Sequence, residues 1–101
     1  MRSYRQVEHD IIQWAEARKI IPNATPATQT LKLVSEVGEL ADAIIKNDAE
    51  ATVDAVGDVM VCLINVCALL DLDIVACMDV AYEEIKDRKG TLMPNGMFIK
   101  E

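Results

Sequence analysis

Two short acidic patterns carry the chemistry that this sequence offers. The first is Glu36-Val-Gly-Glu39, preceded by Lys32; at helical spacing Lys32, Glu36 and Glu39 fall at i, i+4 and i+7 and share one face. The second is Asp54-Ala-Val-Gly-Asp58, where Asp54, Asp58 and Asn65 fall at i, i+4 and i+11 and again form one strip. Both strips are narrow, because aliphatic residues flank them: Leu33, Val34, Val37 and Leu40 in the first segment, Val53, Val56, Val59 and Val61 in the second. A helix apolar almost all round is expected to be buried. Buried like charges repel unless they are protonated, paired or metal-bound. Two facing strips would bring three or four carboxylates to one point, a donor set suited to a hard, oxygen-seeking cation, Mg2+ or Mn2+.

The segments also echo each other. Ser35-Glu-Val-Gly-Glu-Leu-Ala41 lines up with Asp54-Ala-Val-Gly-Asp-Val-Met60, each placing Gly just before an acid. Gly inside a helix costs about 0.5–1 kcal/mol relative to Ala, so a packing or access reason is expected, close approach of two helices at the site being one. The competing reading is that these acids are a solvated face, or pair with Lys32, Lys46, Lys86 and Arg88.

Four helices are needed to position these strips. The first runs from about Ser3 to Lys19, with Ser3 and Gln6 as a capping box and Val7, Ile11, Trp14 and Ala15 at helical spacing. Ile20 to Ala24 connects it to a second helix that starts at Thr25-Pro26, a good N-cap and N1 pair, and runs to about Lys46. Asn47-Asp48 turns the chain into a third helix reaching about Leu70. Asp73 caps a fourth, which ends near Lys89 with Gly90 just past its C-terminus. The tail has two short apolar pieces around Pro94-Asn95-Gly96, the signature of a small hairpin or extended arm. Short connections favour antiparallel neighbours, so the expected fold is all-α, a four-helix bundle over a single domain, residues 1–101.

Composition narrows the function. The residues are 51% hydrophobic but only 4% aromatic, so the core is aliphatic, and a domain this small has more apolar side chain than it can bury alone. Part of that core is expected to be shared in a homodimer or homotetramer. The net charge of −7 speaks against nucleic acid as a partner, yet allows a small anionic substrate bridged by divalent cations. Cys62, Cys67 and Cys77 lack CxxC spacing and read as small buried hydrophobes in a reducing compartment. The N-terminus shows no apolar h-region, and the apolar run Val59 to Leu70 is too short to span a bilayer. A cytoplasmic protein without a membrane partner is expected.

With these residues in view, the sequence resembles the MazG-like all-α nucleoside triphosphate pyrophosphohydrolases, related to the dimeric dUTPases and dCTPases. The resemblance rests on Glu36-Val-Gly-Glu39 inside Leu33-Val-Ser-Glu-Val-Gly-Glu-Leu-Ala41, and on Asp58 closing the second motif. That second motif departs from the family pattern: three residues before Asp58 stands Ala55 where an acid is expected, and Asp54 lies one position earlier. The family holds Mg2+ with such acids, which implies Glu36, Glu39, Asp54 and Asp58 as metal ligands, with Asp54 replacing the missing one. It implies hydrolysis of a nucleoside triphosphate to the monophosphate and pyrophosphate, with Glu36, Glu39 and Asp58 catalytic. Asn65 sits where related dUTPases place a substrate-contacting Asn. Lys32, Lys86, Arg88 and Lys89 are candidate phosphate contacts, and Trp14 a stacking surface for the base. A dipole-complementing surface turn for Lys86 to Lys89, and core packing for Trp14, are the plainer alternatives. His9, beside Glu8 and Asp10, reads as surface.

A different class of function also fits. A non-catalytic helical interaction module, its acidic strip pairing with a basic partner, would bind no divalent metal and gain no stability from nucleotide. A di-iron carboxylate bundle lacks its ExxH pairs.

Overall fold

A computed structural model describes all of residues 1–101. The chain forms α1 (Tyr4–Ala17), a one-turn α2 (Ile20–Asn23), α3 (Pro26–Ile45), α4 (Ala49–Leu69) and α5 (Ile74–Ile85), then the hairpin strands β1 (Gly90–Leu92) and β2 (Phe98–Lys100).

The helix starts are set locally. Ser3 Oγ accepts from the Gln6 amide, and Asp48 and Asp73 accept from the first-turn amides of α4 and α5. Thr25 and Thr28 form a reciprocal capping box at α3. The expected box at Ser3 is therefore half made. The α3 and α4 ends share one solution: Asn47 and Asp71 take positive φ, and the amides of Asp48 and Leu72 reach back to the carbonyls of Ala43 and Cys67. This is the Schellman arrangement, with Asn and Asp in the place usually taken by Gly. The two-residue link at Asn47-Asp48 leaves α3 and α4 antiparallel and packed along their length, the dominant contact of the molecule. α1 leans on α4, and Ile74 at the start of α5 joins Ile64 and Cys67 in a small core with Ile11, Ile12, Met60 and Leu63 against it.

Three expectations are corrected. α5 ends at Ile85 instead of near Lys89, and Gly90 opens β1. A Cβ on Gly90 would meet the Ile99 carbonyl oxygen and, at 2.6 Å, the Phe98 ring, so the glycine serves the strand pairing and not a helix end. Gly38 and Gly57 do not mark the helix seam, since a Cβ at either meets nothing within 4 Å. Ala43 and Ala55 are the small residues in the seam, both buried.

The third correction concerns burial. The all-round apolar α3 buries only Glu36 and Ala43, while Leu31 is 70% and Ile45 78% exposed. The seam has room for small side chains and carboxylates, so the large aliphatic ones point outward. The chain is correspondingly open, with a radius of gyration of 16.0 Å where a compact domain of about 100 residues has about 13 Å. α4, whose helix extends well beyond Val59–Leu70, is also long and apolar enough to cross a membrane. Its two mid-helix aspartates would each cost about 2.5–3.5 kcal/mol in a bilayer core, and it packs along α3 instead.

Candidate active site

The site is built in the α3–α4 seam. On α3, Lys32 Nζ lies 3.1 Å from Glu36 Oε1. Glu36 is buried, and its other oxygen, Oε2, has no hydrogen-bond partner. A buried carboxylate oxygen without a donor is costly, on the order of a few kcal/mol when the group is charged. Glu39, exposed and one turn on, stands within hydrogen-bonding reach of Glu36. With both ionised, neither can donate and they repel; one proton on Glu39 turns repulsion into a hydrogen bond. That bond and the charge of Glu36 raise the Glu39 carboxyl above the usual range. The same bond, with the ion pair to Lys32, holds Glu36 below it. The two therefore titrate as a unit.

α4 supplies the opposite wall. Asp58 is half-buried, and desolvation followed by the charges of Asp54 and Glu36 pushes its carboxyl up. Cys62, one turn beyond, is buried beside Glu36, Lys32 and Asp58, and burial followed by the charge of Glu36 raises its thiol. Sequence reading missed Cys62 as a member of this site; its i+4 spacing from Asp58 was the available signal.

The other predicted residues are distributed differently. Trp14 is neither core nor free: one ring face lies under the Arg18 guanidinium, 4.5 Å from the centroid, and the side chain lines a cleft of about 380 Å³ with Asp10, Ile11, Val61 and Asp58. Arg2, ion-paired to Asp10 at 3.1 Å, closes the rim; neither had been singled out, although Asp10 lies at i−4 from Trp14. Asp54 is exposed and faces a second cleft beneath α1, with Arg2, Tyr4 and Asp58. It shares that cleft with Asp58, whose carboxyl its charge helps to push up. Asn65 is buried, Oδ1 unpartnered, and lines neither cleft. Lys86 and Arg88 pair with Glu83 and Glu84, and Arg88 and Lys89 line a separate charged depression with Lys100 and Glu101. Within one protomer the basic cluster does not reach the carboxylates, because only the start of α5 is packed on the core.

No three acidic, histidine or cysteine side chains stand close enough in the structure to enclose an ion. The fit of a cation rests instead on the Glu36–Glu39 pair: a buried oxygen with no hydrogen-bond donor beside it, next to a carboxyl whose titration the Glu36 charge pushes up. A divalent cation answers both defects. Glu36, Glu39 and, across the seam, Asp58 are the residues that would hold it.

Comparisons with known proteins bear on this geometry. The MazG nucleotide pyrophosphohydrolase domain family matches residues 24–92, from the turn before α3 to β1. An uncharacterised 18.2 kDa protein from the rep-hol intergenic region of Haemophilus phage HP1 is 36% identical over 64 residues, 63% of this chain. The match spans 39% of that relative's length. Among solved structures, a MazG-like pyrophosphohydrolase of cyanophage S-2L, bound to dGDP and three catalytic Mn2+ ions per active site, superposes with a TM-score of 0.72. It covers 100% of this chain and 99% of that one at 20% identity, a likeness of fold.

Proposed function

This chain belongs to the MazG nucleotide pyrophosphohydrolase family, and on that premise we propose that it hydrolyses a nucleoside or deoxynucleoside triphosphate to the monophosphate and pyrophosphate, with Mg2+ or Mn2+ as cofactor. The observation that carries the reading is the buried, unpartnered Oε2 of Glu36 beside Glu39. The nucleotide and Mn2+ held by the S-2L relative support a nucleotide and a divalent cation here too.

In this reading Glu36, Glu39 and Asp58 are the residues that would hold the cation, which would supply charge neutralisation for the triphosphate and activation of water. Glu39, made more basic by the neighbouring Glu36, would in its ionised form take a proton from the attacking water. Lys32, on the same face of α3 and 3.1 Å from Glu36, would be the residue to contact a phosphate oxygen. Trp14 offers its free ring face to the base in the cleft that ends at Asp58. Clearing surplus or altered triphosphates from a cytoplasmic nucleotide pool is the role this chemistry suits.

A second copy completes the molecule. The outward aliphatic residues of α3, Leu31, Val34 and Ile45, form an unpaired apolar face that a homodimer or homotetramer would cover. Lys86, Arg88 and Lys89, remote within one protomer, would then belong to the phosphate site only if the partner brings them.

The test is incubation of the purified protein with nucleoside triphosphates and Mg2+, resolving the products. Pyrophosphate and monophosphate are expected; orthophosphate release contradicts the cleavage position, and no turnover contradicts the reading.

A further inference from the structure

The cleft between α1 and α4 holds more than a stacking surface. Asp10 and Trp14 stand at i and i+4 on one face of α1, and both line the cleft with Asp58. Arg18, a further turn on, lies 4.5 Å from the centroid of the Trp14 ring and donates from Nη1 to the Trp14 carbonyl oxygen at 3.3 Å. The guanidinium thereby occupies one face of the indole and leaves the other for a flat aromatic guest. At the rim Arg2 Nε lies 3.1 Å from Asp10 Oδ2, so the mouth of the cleft carries a carboxylate and a guanidinium side by side.

These groups decide which part of a nucleotide the cleft takes. Asp10 and Asp58 outnumber Arg2, so a phosphate chain is repelled there while an uncharged base is not. A carboxylate only accepts hydrogen bonds and a guanidinium only donates them. Side by side they ask for a base edge with two adjacent N–H donors next to a carbonyl oxygen. Guanine has that edge, in N1–H, the N2 amino group and O6. Adenine sets its amino group beside an unprotonated N1, whose lone pair would face a carboxylate oxygen. Cytosine sets one amino group beside two acceptors, and uracil or thymine a single N–H between two carbonyls.

Resting on the nucleotide reading above, we propose that Asp10 and Arg2 select the base and that the cleft takes a guanine nucleotide. The base stacks on the free face of Trp14, Asp10 accepts from N1–H and the N2 amino group, and Arg2 donates to O6. Paired, charge-assisted bonds of this kind discriminate because a wrong base leaves a charge unanswered. The Asp10 side chain is 48% exposed, so water answers part of that loss. The discrimination is therefore set at roughly tenfold to a hundredfold, well below the about 10⁴-fold of a fully buried edge.

Trp14 is the only tryptophan, so its fluorescence reports on this cleft alone. The experiment titrates the full chain, in Mg2+, with the ribo- and deoxyribonucleoside monophosphates of guanine, hypoxanthine, adenine, cytosine and uracil, following the quench, with circular dichroism checking each variant. The guanine nucleotide is expected to bind at least about tenfold tighter than those of adenine, cytosine and uracil. Hypoxanthine keeps N1–H and O6 but lacks the amino group, and its nucleotide is expected to bind several-fold more weakly than that of guanine. Asp10→Asn brings guanine and adenine within about threefold of each other, and Arg2→Met shrinks the preference several-fold. Both positions are exposed, and the hypoxanthine comparison needs no variant. Equal affinities across the bases overturn the proposal, as does a preference that Asp10→Asn leaves intact or hypoxanthine binding as tightly as guanine. Absence of quenching by every nucleotide overturns it too, and pyrophosphate release from triphosphates in the same preparation then keeps the hydrolytic reading. A guanine preference without triphosphate cleavage retains the inference and removes only the activity.

Discussion

Lys32 and Glu36 form the one ion pair of the seam: the ammonium lies 3.1 Å from Oε1, and Oε2 is left buried without a donor. A single lysine cannot satisfy both oxygens from one side, so the pair is half of a site. Lys32→Met removes that ammonium and gives a direct test. The affinity for Mn2+ is expected to hold or rise, because a competing cation is gone, while KM for the triphosphate rises several-fold. A fall in Mn2+ affinity together with an unchanged KM contradicts the role given to Lys32.

Glu39→Gln separates catalysis from stability. The change keeps shape and removes one of two repelling carboxylates. Turnover is expected to fall below about a hundredth of wild type, whereas the metal-free variant melts no lower than wild type at neutral pH. A lower melting temperature would mean that Glu39 is structural.

The pH dependence follows from the same pair. The folded Glu39 carboxyl titrates above its unfolded value, so its contribution to stability is present at acid pH and lost as pH rises through the raised folded value. Above that point both carboxylates are charged and repel, and a cation relieves the repulsion. Stabilisation by Mg2+ or Mn2+ is therefore expected to be larger at about pH 7 than at about pH 4, measured as the shift in melting temperature. Equal shifts at the two pH values would exclude Glu39 from the site.

The outward face of α3 makes a prediction about assembly. Leu31→Asp or Ile45→Asp places a charge on the exposed aliphatic surface of α3. Sedimentation equilibrium is expected to show wild type as a dimer or tetramer and the variants shifted toward monomer, with a lower melting temperature. A monomeric wild type removes the shared core.

Gly90→Ala probes the tail. The added methyl meets the Ile99 carbonyl oxygen and the Phe98 ring, so the pairing of Gly90 with Lys100 is lost. Amide exchange in residues 90–100 is expected to rise. Metal binding should be unchanged, since the strands pack apart from the seam.

The sequence by itself determined the four longer helices and where each of them starts. Ser3, Thr25, Asp48 and Asp73 cap where local side-chain-to-backbone bonds dictate. Pro94-Asn95-Gly96 turns the hairpin because Gly96 adopts a φ of 89° at no steric cost. Glu36, Glu39 and Asp58 were legible for the same kind of reason, as acids at helical spacing among aliphatic residues. Only the tertiary structure decided which faces meet. Periodicity shows that a strip exists but not which side of a nearly all-apolar helix turns inward. α3 buries its carboxylate and its alanine because two helices only a short link apart accept small side chains between them, leaving Leu31 and Ile45 outside. The same packing buried Ala55 and left Asp54 exposed, neighbours in sequence separated by about 100° of helix. It also drew in Cys62, and left Lys86, Arg88 and Lys89 at the far end of a helix anchored at its start.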